Sequence, residues 1–324
     1  ERLLFYSNAV PLESRDRLLA LLAEMAPPPL DQAFLVNSGA ETNDVALQLA
    51  RRVTNRRRIV TFEGGFHGRT LATLAASGIP RYRELADRSG GQSILDLTVV
   101  VPWGRPEVLP AVIDETVAAV IVEPVQGLAG AREVGGEVLT TLRRACDAAG
   151  AVLIFDEVQC GCGRTGAFTA AQSYGVTPDI LTLAKGIAAG LPMGAVLLSP
   201  RIAAHVSQGD LGTTFGGGPI PCAAAAANLE VIKDNDLSTR ALALERRLRR
   251  GLADLPQVKA ITGRGLLLGL VLDRPARPVQ LALYERGILV GSANDPSVIR
   301  LLPPLVLTDD EADLFLDAIH EVLS

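Results

Sequence analysis

The sequence predicts an α/β protein: a mostly parallel central sheet covered by helices over residues 1–222, followed by a smaller α+β domain over 223–324. Three observations predict it. Short, continuously apolar runs alternate with segments long enough to cross over a sheet, the pattern of parallel strands covered on both faces. The 48% hydrophobic content over 324 residues is that of a chain with a substantial core. Past "FGGGPIPC" (215–222) the alternation gives way to a long helical region and then to short strands.

The strands are read in order from β-branched and apolar runs. They are "AFLV" (33–36), "RIVTF" (58–62), "VAAVIVE" (117–123), "AVLIF" (151–155), "ILTLA" (180–184) and "GAVLLS" (194–199). Ala223 to Leu252 reads as one helical region, with Pro221 near its start. "VKAIT", "GLLLGLVL" and "ILV" read as short strands, Val279 to Arg286 as a helix, and a closing helix begins at about Asp309. "CAAAAAN" is a stretch of good helix formers rather than a low-complexity tract.

Charge and cysteine usage exclude several function classes. Net charge is −5, so there is no basic excess to neutralise a nucleic-acid backbone, and the run Arg56 to Arg58 reads as a solvated edge. Cys146, Cys160, Cys162 and Cys222 are too few for a disulfide framework, and the C-x-C pair lacks the usual zinc spacing, so reduced thiols and a cytoplasmic location are expected. No apolar run reaches membrane-spanning length, and "ERLLFYSN" has no signal-peptide layout, although it begins abruptly, as if mid-pattern.

"VLIFDEVQCGCGRTG" (152–166) contains a literal G-x-G-x-x-G from Gly161 to Gly166. A dinucleotide loop needs its first glycine at the strand end and an acid closing the next strand. Here Asp156 to Cys160 intervene, and Asp179 precedes the next strand instead of following it, so these glycines shape a loop. The chemistry falls to the acids Asp156 and Glu157, placed where open α/β sheets hold their ligands. Two acids could bind a metal, but the chain has only three histidines and no ligand set at suitable spacing, and no metal is expected.

Lys185 stands after another apolar strand, hemmed by a Gly-rich turn, and reads as an inward amine whose basicity desolvation lowers. An acid and an activated lysine on neighbouring strand ends suggest pyridoxal 5'-phosphate: the lysine links to its carbonyl and the carboxylate keeps the ring nitrogen protonated. "NSGAETND" (37–44) supplies a phosphate cradle, since it follows a strand and opens a helix. Opposite charges about 4 Å apart at an effective dielectric near 20 attract by roughly 4 kcal/mol, about 3 pKa units, enough to hold that proton.

With "NSGAETN", "GFHGRT", "VEPVQG", "FDEVQCGCGRTG", "LAKGIAAGLPMGA", "TTFGGGP" and "IRLLPPL" in order along the chain, the sequence resembles the class III, or acetylornithine/ornithine type, aminotransferases of pyridoxal-phosphate fold type I. The resemblance implies a ping-pong transfer of an amino group from an ω-amine or acylated diamino acid to 2-oxoglutarate. It implies a homodimer with the site at its interface. An aminomutase on the same scaffold, or a catalytically inactive protein of this fold, is the alternative.

Residue by residue, it implies Lys185 as the cofactor lysine and proton shuttle, and Asp156 as the partner of the pyridine nitrogen. Glu157 stands beside it in the cofactor-binding set. Val158 and Phe66 would cover the two ring faces, Gln159 would lie near the phenolic oxygen, and Gly39 and Ala40 would offer backbone N–H groups to the phosphate. Thr214 would reach the phosphate of the partner subunit. Arg69 and Arg300 match the substrate-carboxylate positions, and Thr213 a contact to the neighbouring subunit's substrate. Leu128 stands where many members carry an acid that masks the arginine equivalent to Arg300, so the switch between acceptor and donor must differ here. Gly218, Thr42 and Asp44 also depart from the commoner residues. "FYSNAV" (5–10) resembles a substrate-proximal segment that several dozen residues precede in the family.

Overall fold

The computed structural model of the protein describes Phe5 and residues 10–324, so Tyr6 to Ala9 of the expected substrate-proximal segment lie outside the described residues. The strands in chain order are β1 Gln32–Val36, β2 Arg58–Phe62, β3 Thr98–Val101, β4 Val117–Val122, β5 Val125–Gln126, β6 Arg132–Glu133 and β7 Val152–Asp156. They continue with β8 Ile180–Leu183, β9 Gly194–Leu198, β10 Val258–Arg264, β11 Leu267–Leu272, β12 Gly291–Ser292 and β13 Val298–Leu301. Seven form one sheet in the order β1-β9-β8-β7-β4-β2-β3. The pairs from β8 through β3 are parallel, and β9 runs antiparallel to both of its neighbours.

Every residue of β4, β7, β8 and β9 is buried. These strands need no polar face because helices cover both sides of the sheet. One covering helix, Gly39–Thr54, begins with the Ser38 side chain accepting from Glu41 N and stops where Asn55 turns left-handed at φ 52°. Its buried Ala46, Leu47, Leu49 and Ala50 pack with Ile121, Ile154 and Val196 of the sheet. The opposite face carries the larger core, centred on Phe155, Leu153, Val120 and Leu181.

A second sheet, β10-β11-β13-β12, is antiparallel throughout and packs under the helices Leu237–Leu252, Ala276–Glu285 and Asp309–Leu323. The last helix starts where expected, with a reciprocal cap between Thr308 and Glu311.

Several details differ from the sequence reading, the two-residue strands β5 and β6 among them. β3 is an additional edge strand, short and only half-buried, which weakened its apolar signal. The region read as one helix is two, Pro219–Asp234 and Leu237–Leu252, because Asp236 adopts φ 45° and its side chain accepts from Thr239 N. The strand expected at "ILV" (288–290) forms directly after it, at β12. Finally, Cys222, Ala225, Ala226, Leu229, Ile232 and Leu237 belong to the large core, whereas the second core begins at Ala241. We propose on that packing that the two units divide near 237–241 rather than at 222.

Arg56, in the basic run, is a structural clamp: its NH1 donates to Val117 O and Ala149 O. All four cysteines are buried and free.

Candidate active site

The carboxyl ends of β1, β2, β4, β7 and β8 meet at one edge of the large sheet. There a cavity of about 390 Å³ is lined by the start of the helix Gly39–Thr54, by Phe66 and His67 after β2, and by Glu123 after β4. Asp156 at the end of β7, the turn Val158–Gln159 and Lys185 after β8 complete it. Parallel pairing of β7 with β8 sets Asp156 beside Thr182, and Lys185 follows three residues later.

Asp156 is 3% exposed, yet both its oxygens are engaged. Oδ1 accepts from Val158 N at 3.0 Å, and Oδ2 accepts from Asn43 Nδ2 at 2.7 Å and pairs with His67 Nδ1 at 2.8 Å. Asn43 is in turn saturated, donating also to His67 O at 2.8 Å and accepting from Thr182 Oγ1 at 2.8 Å. His67 Nε2 meets Thr61 Oγ1 at 3.3 Å. A buried network with every member satisfied holds its central carboxylate in one orientation.

Lys185 sits at φ 46°, in the left-handed region that costs a side-chain-bearing residue of order 1 kcal/mol or more. Such strain persists where surroundings over-determine it, commonly at functional positions. Its side chain opens onto the cavity, and its amine makes no hydrogen bond among the described residues. Desolvation holds that amine below the ordinary lysine value, against the opposing pull of Asp156 and Glu123.

At the helix start, Ser38 satisfies the N–H groups of Glu41 and Thr42. Those of Gly39 and Ala40 have no intrahelical partner and face the cavity, where an anion is favoured. Gly39 is required sterically: an ideal Cβ there would lie 2.7 Å from Val158 Cγ1. Phe66 forms a facing wall, tilted against Tyr82 with ring centroids 4.8 Å apart.

Comparison with known proteins decides the family, because the model of the aminotransferase class-III family matches residues 1–323. The chain belongs to the class-III aminotransferases. Among the relatives of this class-III chain is the acetylornithine aminotransferase of Methanocaldococcus jannaschii, 38% identical over 334 residues, covering 100% of this chain and 82% of the relative. The enzyme of that name from Mesorhizobium japonicum is 42% identical over 305 residues, covering 91% and 73%. Among solved structures, the ornithine aminotransferase of Toxoplasma gondii superposes with a TM-score of 0.90 at 30% identity, over 99% of this chain and 79% of that one. The protein is therefore a pyridoxal-phosphate-dependent transaminase.

Gly39, Ala40, Phe66, Asp156, Val158, Gln159 and Lys185 all line the one cavity. Glu157 does not, and we propose that it stands outside the cofactor-binding set. Its carboxylate turns away and accepts from Ala170 N at 2.5 Å and Ala171 N at 2.8 Å, capping the helix Ala170–Tyr174. Successive residues at a strand end point to opposite sides, so only one of two adjacent acids can face the cavity. Burial pushes the Glu157 carboxyl up to about 8, against those two amide bonds.

The expected substrate contacts stand outside the lining. Arg300, on β13, is half-buried and donates to Ser292 O and to Gln159 Oε1. Arg69 is exposed, its guanidinium 5.9 Å from the Tyr82 ring centroid. Thr213 Oγ1 accepts from Asn37 Nδ2 at 3.3 Å at the cavity rim. Thr214 is exposed. Leu128 packs against the cluster of Leu74, Tyr82 and Ile79 that Phe66 also joins.

Sequence reasoning did not single out Asn43, His67 and Glu123. Glu123 is 3% exposed and joins two loops, accepting from Phe66 N at 2.8 Å and Gly127 N at 3.2 Å. Burial, with the neighbouring Asp156 charge, pushes its carboxyl up to about 7. The available signal was position: Glu123 directly follows β4, and His67 lies five residues after β2, in the loop at the ligand-binding edge of the sheet.

Proposed function

We propose that this transaminase carries its cofactor in the cavity at the carboxyl edge of the large sheet and transfers an amino group from an acylated diamino acid or other ω-amine to 2-oxoglutarate. The observation that carries this reading is the convergence in one cavity of Lys185, Asp156 and the free helix N-terminus at Gly39 and Ala40. Together they match the aldehyde, ring nitrogen and phosphate of pyridoxal phosphate. When bound, that group supplies an electron sink for a carbanion.

The chain's own residues do the rest. Gly39 and Ala40 would hold the phosphate by N–H donation. Asp156, pinned by His67, Asn43 and Val158 N, keeps negative charge at the ring-nitrogen end. Val158 and Phe66 line the cavity and would cover the ring faces, and Gln159 would serve the phenolic oxygen. Lys185 Nζ, lowered in basicity by desolvation, is available both to link to the cofactor and to take a proton from the substrate carbon. Arg300 and Arg69 grip substrate carboxylates, and the rim residue Thr213 assists.

The names of the relatives support the acylated diamino acid as donor. Leu128 bears on how the donor is admitted: with no acid at that position, no carboxylate from it covers Arg300. We place the active unit as a cytoplasmic homodimer in which Thr214 reaches the partner's phosphate site. Exposed Phe215, Ile220 and Leu191 lie beside it or line the cavity mouth.

The test is the visible spectrum of the purified chain with added pyridoxal phosphate, with a panel of amino donors. Wild type should show a cofactor band that N-acetylornithine bleaches and 2-oxoglutarate restores, and Lys185→Ala should lack it. A band unaffected by Lys185→Ala would remove Lys185 from its role, and bleaching by another donor alone would reassign the substrate.

A further inference from the structure

A contact between the two sheets underlies an inference that rests on the functional reading above. Arg300 on β13 of the small sheet reaches Gln159, which follows β7 of the large one: NH1 donates to Gln159 Oε1 at 3.3 Å. Nε of the same guanidinium donates to Ser292 O. Arg300 forms no ion pair among the described residues, and burial holds its guanidinium below the ordinary arginine value. A half-buried cation satisfied only by neutral acceptors is a place where an incoming carboxylate displaces the weaker neutral contact.

Gln159 is confined from its other side as well. An ideal Cβ on Gly127 would lie 2.1 Å from its Oε1 and 2.8 Å from its Nε2, so the amide rests against a backbone that only glycine allows. Gly127 is itself held, through its N–H, by Glu123. With Oε1 taken by Arg300, Nε2 remains as a donor that meets no acceptor among the described residues. Gln159 lines the same cavity as Asp156 and Lys185.

We propose that Gln159 is a positioning residue that couples the substrate-carboxylate site to the cofactor site. Arg300 fixes the amide with its N–H groups available to the cavity, and a carboxylate that takes Arg300 releases that hold. The two ligands then bind antagonistically, each weakening the other by the same factor. One long hydrogen bond is at stake, 3.3 Å from NH1 to Oε1, so the Gln159-dependent part of that factor is that of an ordinary hydrogen bond, about 3- to 10-fold.

Glutarate, a non-reacting dicarboxylate, is the probe. Pyridoxal phosphate affinity of the full chain is measured with and without saturating glutarate, and glutarate affinity of the cofactor-free protein by calorimetry. Wild type should hold pyridoxal phosphate more weakly with glutarate present. In Gln159→Ala only direct repulsion between the two anions persists, and the factor should shrink at least threefold. In Gln159→Glu the new carboxylate pairs with Arg300, and glutarate affinity of the cofactor-free protein should fall about tenfold or more. An undiminished factor in Gln159→Ala, or wild-type glutarate affinity in Gln159→Glu, overturns the proposal. Absence of any Lys185-dependent cofactor band in wild type would instead count against the cavity assignment, and the cofactor-free glutarate measurement would still decide the Arg300–Gln159 contact.

Discussion

Asp156 shows how much preorganisation a single carboxylate can receive. Three donors from three separate segments meet it, so its orientation is set without any ligand. Asp156→Asn should keep the lysine-linked cofactor band yet slow the amino-donor half-reaction by about two to three orders of magnitude, because roughly 3 pKa units of support for the ring proton are lost. Rapid-mixing absorbance would measure it; a rate close to wild type would show that the carboxylate charge is not what matters. Asp156 and Lys185 were legible in the sequence because each follows an apolar run directly, and strand ends at one sheet edge converge. His67 and Asn43 were less so, since what distinguishes them is contact with Asp156 across 89 and 113 residues.

At the scale of elements, the adjacent acids 156 and 157 divide their labour by strand geometry: one faces the cavity, the other caps a helix. Glu157 holds a proton in the folded chain that the unfolded chain releases at ordinary carboxylate pH. Its contribution to stability is therefore complete below about pH 4 and is lost as the pH rises toward about 8. Urea unfolding across that range should show a decline in wild type that is flatter in Glu157→Gln. Equal slopes would place the proton elsewhere. Glu157→Gln should also lower stability by about 1–3 kcal/mol at acidic pH, since one of the two backbone donors then faces an amide N–H₂. The clearest signals in the sequence came from elements with a strong, uniform environment. β7 and β8 are buried along their whole length, whereas the half-buried edge strand β3 and the break at Asp236 depend on surroundings and on one residue's left-handed backbone.

For the whole molecule, the segment around Thr213 and Thr214 matters most. Phe215 is 63% exposed and Ile220 46%, apolar surface beside a cavity rim, which fits a second copy of the chain better than open water. Sedimentation velocity should find a dimer, and Phe215→Asp should shift it toward monomer while lowering pyridoxal phosphate affinity in parallel. A variant that stays dimeric, or a monomer that binds cofactor as well as wild type, would place the interface or the phosphate contact elsewhere. The large α/β unit and the smaller α+β unit were both readable from periodicity. The dividing point we propose between them rests on packing, because the helix Pro219–Asp234 has the composition of either unit and lies in the larger core.

The left-handed backbone at Lys185 has an evolutionary consequence. Glycine or asparagine would sit at φ 46° with less strain, so selection for folding stability alone would steadily erode lysine there. Lysine would hold that position against such drift only while its amine has work to do. A lineage of this fold released from catalysis would be expected to lose this position early, and its identity in any descendant chain is a sensitive marker of whether the chemistry is still in use.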